Sequence, residues 1–159
     1  MSETTYAAIA RLVFTYAERL DAGDLDGMAQ LFEHATFRSK GGEMTLTGRD
    51  EVRAAFAGSV QFPDGTPATQ HVTTNLYVDE DPDGAHAVAN SAFTVLQGTA
   101  TLPLQVVCAG RYRDEFVRTE DGWAFADRLV DIRFLGDVSQ HLVSAAGGPP
   151  AGGAEDSSR

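Results

Sequence analysis

The chain has 159 residues, of which 43% are hydrophobic and 22% are charged, and its formal net charge is −11. Such a length and composition predict one soluble globular domain with a sizeable core. The acidic balance argues against nucleic acid and against an anionic membrane surface as partners, because both bind positively charged patches.

The first part of the chain carries signals for three helices and two short strands. Apolar residues recur at the spacing of one helical face from Ile9 to Leu20, which predicts a first helix. Gly23 can end that helix in a left-handed conformation, and Asp24 can cap a second, short helix. Two short strands are then expected over 35–39 and 43–47, and a third helix over 49–57.

Four long strands, separated by turns, are predicted in the second half. They cover residues 71–78, 87–97, 104–118 and 123–135. On the first of them, His71 and Asn75 are expected on one face, because side chains alternate along a strand. Consecutive strands joined by tight turns form an antiparallel sheet, and the helices must cover one of its faces. The predicted fold is therefore α+β: a cone-shaped barrel in which a curved antiparallel sheet wraps around the N-terminal helices, in the order α-α-β-β-α-β-β-β-β.

The interior of such a cone can hold a small hydrophobic or aromatic ligand. We expect the domain to cover residues 1–143, with a short helix over 138–143, and the Gly/Pro/Ser-rich residues 144–159 to form a disordered tail. Long strands with exposed apolar faces also predict a homodimer or homotrimer, because large apolar patches seldom stay in water.

Signals for a membrane, for secretion and for metal binding are missing from the sequence. No apolar run approaches the ~20 residues that span a bilayer, and the N-terminus has no signal-peptide pattern, so a cytoplasmic protein is expected. The single cysteine, Cys108, excludes an internal disulfide and is expected to be an inert core thiol. His34 beside Glu33 and His86 near Asp83 lack a further ligand, so no metal site is predicted.

Three stretches resemble one known family. They are 13–26, which contains Asp21; 69–75, which contains His71; and 121–134, which begins with Asp121-Gly122-Trp123. Together with the element order, they resemble the nuclear transport factor 2-like superfold over about residues 5–143. Within that superfold they resemble the SnoaL-like branch that includes scytalone dehydratase. The stretch around His71 is the one that points to this branch, because the other two are common across the superfold.

The resemblance implies a set of site residues. Asp21 matches the family's aspartate and His71 one of its two histidines, whereas the second histidine falls near Gln97 and the two tyrosines fall at Leu20 and Ser39. It implies a lyase, isomerase or cyclase, without metal or organic cofactor, that acts by acid–base chemistry on a small aromatic or polyketide-like carbonyl compound. The alternative is a non-catalytic ligand-binding or assembly module, similar to the β subunit of ring-hydroxylating dioxygenases. Whether the chain is an enzyme stays open at this point.

The residues themselves predict how such a site would work. Asp21 and His71 are 50 residues apart, so only the fold can bring them together. If they meet, the carboxylate holds one imidazole nitrogen, and the other nitrogen can move a proton to or from a substrate. Tyr16, on the buried stripe of the first helix, either points its hydroxyl into the cavity or is a core tyrosine. Asn75 and Gln97 complete the predicted substrate-binding residues.

Overall fold

The computed structural model of the chain describes residues 4–141. The tail predicted for 144–159 and the end of the short helix predicted over 138–143 lie outside the described residues. Within them, residues 139–141 form a turn rather than the start of a helix. None of the helices in residues 4–141 has the length and hydrophobicity that crossing a bilayer requires.

Three helices form where the sequence predicts them. Helix α1 (Thr5–Asp21) begins at Thr4, whose hydroxyl caps it, and buries the predicted apolar stripe. Gly23 follows with a φ of +77°, a conformation that suits glycine. Asp24 then caps α2 (Leu25–Gln30) by accepting a hydrogen bond from the Gly27 N–H at 2.9 Å. Helix α3 covers Gly48–Phe56.

Within residues 4–141, six strands form one curved sheet. They are β1 (Thr36–Ser39), β2 (Thr45–Thr47), β3 (Thr69–Glu80), β4 (His86–Gln97), β5 (Gln105–Thr119) and β6 (Gly122–Leu135). Their order in the sheet is β2-β1-β6-β5-β4-β3. The α+β prediction is confirmed, with two differences in detail. The sheet is mixed, because β1 pairs with β6 in parallel, and it stays open, because β2 and β3 are edges.

The buried stripe of α1 packs against one face of this sheet. Tyr16 of α1 contacts the core-facing rings of the strands, with ring centroids 6.3 Å from Phe37 on β1 and 6.2 Å from Tyr112 on β5. Tyr112 in turn stacks on Phe93 of β4 at 4.3 Å. A helical stripe and the alternating positions of the strands therefore share one core, and the end of α1 lies against β3.

A bulge in β3 corrects one prediction about its faces. The pairing of β3 with β4 shifts register between Thr74 and Tyr77, and Asn75 has a φ of +53°. A bulge inserts an extra residue, so the residues beyond it exchange faces. His71 therefore points to the core side, whereas Asn75 is exposed and Tyr77 is 51% exposed. The prediction that Asn75 shares a face with His71 is wrong for this reason.

Large apolar side chains are exposed near the end of the sheet, and the homo-oligomer remains a prediction. Leu104 is 75% exposed and Phe134 is 71% exposed. We expect the protein to sediment as a dimer or trimer at micromolar concentration, because clustered apolar surface seldom stays in water. Phe134→Asp is expected to shift it toward the monomer, whereas Tyr6→Asp, at an exposed position of α1, is expected to leave it unchanged. A wild-type protein that sediments as a monomer would contradict the prediction.

Candidate active site

Asp21 and His71 meet, as expected, where the end of α1 contacts the start of β3. The Asp21 Oδ1 atom lies 2.7 Å from His71 Nδ1, and its Oδ2 accepts a hydrogen bond from the His71 backbone N–H at 2.6 Å. Thr69 donates its hydroxyl to the same Oδ1 at 3.2 Å. Three groups of Thr69 and His71, at the start of β3, therefore contact this carboxylate.

The contact between Asp21 and His71 Nδ1 determines which ring nitrogen of His71 is available to another partner. With Nδ1 held by the carboxylate, Nε2 is left for another partner: it accepts a hydrogen bond in the neutral ring and donates one in the charged ring. The His71 side chain is only 10% exposed and that of Asp21 is 20% exposed. His71 lines a cavity, and Asp21 is not among the described residues that line it. Asp21 thus holds the ring from outside the cavity, and His71 is the member of the pair that faces it.

The cavity beside His71 has a volume of about 280 Å³ and a largely apolar wall. Its apolar side chains come from α1, α3, the segments just before β2 and β3, and the three strands β1, β4 and β6. They are Leu20, Phe37, Met44, Ala55, Phe56, Pro67, Phe93, Val95, Val130 and Ile132. No Asp, Glu, Lys or Arg of residues 4–141 lines it. A wall of this kind fits an uncharged ligand, because it offers a charged one no compensating partner.

Two tyrosines are part of this wall. Tyr16 lines the cavity as predicted, and Tyr112 joins it from β5. Burial raises the pKa of Tyr16 to about 12, although the nearby charge of Arg128 opposes the shift. Burial likewise raises the pKa of Tyr112 well above its ordinary value. Both hydroxyls are therefore protonated near neutral pH and are able to donate hydrogen bonds.

A second histidine, His141, also lines the cavity. Its Nδ1 atom is buried and has no hydrogen-bond partner. Burial lowers the pKa of His141, and the charge of His71 lowers it further. Its place near the tail, in the short helix predicted over 138–143, gives no sequence signal for this role. Tyr112 is likewise absent from the predicted site, although its alternation with Asp114 and Phe116 along β5 is a signal that it faces the core.

Gln97 does not line the cavity, although it was predicted to bind substrate. It is buried at the end of β4, where its Nε2 donates to the backbone oxygen of Gln140 at 3.0 Å. It therefore supports the chain next to His141. Asn75 does not reach the cavity either, because the bulge in β3 turns it outward.

Cys108 contributes a thiol to the cavity wall. Burial raises its pKa, so the sulfur stays protonated at neutral pH. A nucleophilic cysteine needs the thiolate. The prediction of an inert thiol therefore fits its surroundings.

One group of possible metal ligands lies away from the cavity, at the turn between β3 and β4. Ligand atoms of Asp81, Asp83 and His86 lie within 4.8 Å of one another. The turn thus adds Asp81 to the pair of Asp83 and His86, for which the sequence predicts no further ligand. All three residues are exposed, and Asp83 already contacts His86 Nδ1 at 2.9 Å. Without any further sign of a ligand, this cluster is an ordinary acidic turn.

The fold and site agree with the family to which the sequence is similar. Residues 2–129 match the model of the SnoaL-like domain. The chain belongs to the SnoaL-like domain family. The SnoaL-like fold of this chain also resembles solved structures of the nuclear transport factor 2-like superfamily. No curated protein matches the chain at a significant level.

Three solved structures illustrate this likeness. A candidate scytalone dehydratase from Novosphingobium aromaticivorans is 23% identical, with a TM-score of 0.68 over 82% of this chain and 85% of that one. An NTF2-like protein with a cystatin-like fold from the same organism is 22% identical, with a TM-score of 0.67 and coverages of 84% and 84%. ActVI-ORFA from Streptomyces coelicolor is 22% identical, with a TM-score of 0.65 and coverages of 80% and 96%. At these identities the likeness establishes the fold alone.

Proposed function

We propose that this SnoaL-like protein is a lyase, isomerase or cyclase that acts by acid–base chemistry on a small aromatic or polyketide-like carbonyl compound. The observation that carries the proposal is the His71 ring, held through Nδ1 by Asp21 at the wall of an apolar cavity. Proton transfer by a positioned histidine contributes typically ~10²–10⁴-fold to a rate and is within the chemistry of side chains alone.

The hydroxyl groups of the cavity give the carbonyl oxygen a place to bind. Tyr16 lies next to His71, with ring centroids 6.2 Å apart, and its hydroxyl is protonated at neutral pH. A hydrogen bond from a neutral phenol stabilises the negative charge that develops on a carbonyl oxygen when the neighbouring carbon loses a proton. Tyr16 is therefore proposed to bind this oxygen while His71 transfers the proton.

The wall of the cavity supports the proposed substrate class. Aromatic rings from Phe37, Phe56 and Phe93 line it, which suits the faces of a planar ring compound. A volume of about 280 Å³ favours a small molecule. The similarity to a candidate scytalone dehydratase supports chemistry beside a carbonyl group, although scytalone itself is not implied. A cytoplasmic location remains a prediction from the sequence.

The alternative, a non-catalytic ligand-binding or assembly module, is the less favoured hypothesis. An assembly surface has no need for an imidazole that a carboxylate orients within an apolar cavity. Such a pair is instead the arrangement that a proton-transfer site requires, since perturbed or paired titratable groups in a cleft mark functional sites.

The experiment is a deuterium-exchange assay that does not require the natural substrate. We expect the protein in D₂O to exchange the protons next to the carbonyl of at least one small bicyclic ketone ~10²-fold or more faster than buffer. Proton NMR follows the loss of the signal. The matched control is His86→Gln, which removes an exposed histidine outside the cavity and is expected to exchange like the wild type. No exchange with any bicyclic or aromatic ketone of a broad panel would contradict the proposal.

A further inference from the structure

The segment that follows β6 brings a second imidazole to the cavity that holds His71. Residues 136–141 lie beyond the last strand, and His141 at their end is a cavity residue. Two histidines from distant parts of the chain therefore face the same small space. A ligand that fills about 280 Å³ contacts both of them.

Hydrogen bonds on both sides fix the backbone at His141. The Val60 N–H donates to the His141 carbonyl oxygen at 3.2 Å. The preceding residue, Gln140, accepts the Gln97 side-chain amide on its backbone oxygen at 3.0 Å and the Thr99 hydroxyl on its side-chain oxygen at 2.6 Å. The loop before β3, the end of β4 and the loop after β4 thus hold this segment in place.

One polar atom of the His141 ring is not hydrogen-bonded. Its Nδ1 is buried without a partner, and buried polar groups are nearly always hydrogen-bonded. The wall around the cavity is mostly apolar, so a polar atom of a bound ligand is the partner that this nitrogen lacks. This observation is independent of the contact between Asp21 and His71.

We propose that His141 is the second proton-transfer group of the cavity, which accepts a proton from the substrate while His71 donates one. The inference rests on the proposed function and assigns the direction of the two transfers. The environments of the two rings differ, since a carboxylate faces His71 and none contacts the free Nδ1 of His141. Unequal environments of this kind separate an acid from a base.

The titratable groups around His141 agree with the role of base. His71 from β3, Tyr16 from α1, and Cys108 and Tyr112 from β5 share the cavity with it. Burial first, and then the charge of His71, lower the pKa of His141 below 6.5. The ring is therefore neutral at pH 7 and able to accept a proton. It becomes protonated only as the pH falls, and exchange is expected to decline on that acidic side.

The step balances for the formation of an enol. His141 takes the proton from the carbon next to the carbonyl, and the electrons of the broken C–H bond form the C=C bond. The π electrons of the carbonyl move to its oxygen, which takes the proton from His71. The step requires a proton on His71 Nε2 of a charged ring and a free nitrogen on a neutral His141, and it ends with the two charges exchanged. Proton exchange with solvent restores the first state.

The activity test compares His141→Gln, His71→Gln and the double variant, with His86→Gln as control. We expect each single substitution to slow exchange by ~10²-fold or more, with unchanged melting temperature. The double variant is expected to fall little below either single one, because residues that act as a unit are not additive. If His141→Gln exchanged at the wild-type rate while His71→Gln did not, the inference would be overturned and the proposed function would stand.

A titration by proton NMR tests the inference without any substrate. Removing His71 removes one of the two causes that lower the pKa of His141, so the ring signals of His141 are expected to titrate at higher pH in His71→Gln than in the wild type. An unchanged midpoint would mean that the two rings do not sense each other, and would overturn the inference even if exchange activity were present.

Discussion

His71→Gln is expected to reduce proton exchange at the carbon next to a carbonyl by ~10²–10⁴-fold without unfolding the protein. Glutamine is polar and similar in length, so it retains a hydrogen bond toward Asp21 and preserves the packing. It has no group that gains and loses a proton near neutral pH. The measurement is the rate of deuterium incorporation, with the thermal melting curve as the check on folding.

Asp21→Asn provides the graded comparison for this prediction. The asparagine oxygen can still accept the hydrogen bond from the His71 backbone, which the wild-type carboxylate accepts at 2.6 Å. It cannot stabilise a charged ring or select the Nδ1–H tautomer. We therefore expect a smaller loss, of about 10- to 100-fold, because Asp21 acts only through His71.

Nitrogen-15 NMR separates orientation of the ring from simple damage. The neutral His71 ring is expected to carry its proton on Nδ1 in the wild type and to populate both tautomers in Asp21→Asn. If His71→Gln exchanged protons as fast as the wild type, the acid–base assignment would end. If Asp21→Asn left both the rate and the tautomer unchanged, Asp21 would have no positioning role.

Arg128→Leu is expected to lower the free energy of unfolding by about 3–5 kcal/mol. Arg128 is fully buried and forms two hydrogen bonds with the carboxylate of Asp114, at 2.8 and 2.7 Å. Its guanidinium also lies 4.3 Å from the ring centroid of Tyr16 and 4.2 Å from that of Tyr112. Burial lowers the pKa of Arg128, but the negative charge of Asp114 raises it by more. The net effect is therefore a raised pKa. Removing the cation leaves a carboxylate buried without a partner, which is the larger part of the cost.

The double variant Asp114→Leu/Arg128→Leu distinguishes this cause from lost packing. With both charges gone, no buried ion is left unpaired, so most of the lost stability is expected to return. Urea unfolding of the two single variants and the double variant measures the coupling. The matched control is Arg53→Leu, which breaks the exposed contact with Asp26 and is expected to change the unfolding midpoint little. An Arg128→Leu variant as stable as the wild type would contradict the prediction.

The buried pair of Arg128 and Asp114 also lies next to the cavity wall. The rings of Tyr16 and Tyr112 line the cavity on one side and hold Arg128 on the other. The buried pair therefore supports the wall that is proposed to bind the carbonyl oxygen. A variant that retains its fold but loses this cation is expected to place these hydroxyls less rigidly.

The sequence by itself determined the elements whose causes are local. The apolar stripe from Ile9 to Leu20, the glycine at position 23 and the Asp24 cap each act within a few residues, and the helices begin and end accordingly. The motif around His71 indicated the family and one member of the site. Its partner Asp21 was named as well, although only the contact between α1 and β3 brings the two within 2.7 Å.

Only the tertiary structure decided which other groups join them. A single inserted residue in β3 reverses the faces of the residues beyond it and so removes Asn75 from the site. The alternation of residue types along the strand does not reveal this insertion. Gln97 supports the backbone beside His141 instead of binding substrate, and His141 reaches the cavity from beyond the last strand. The outcomes for Gln97 and His141 depend on contacts between residues about 40 or more positions apart, as between Gln97 and Gln140. Such contacts arise when the chain closes on itself, and no local pattern of residue types encodes them.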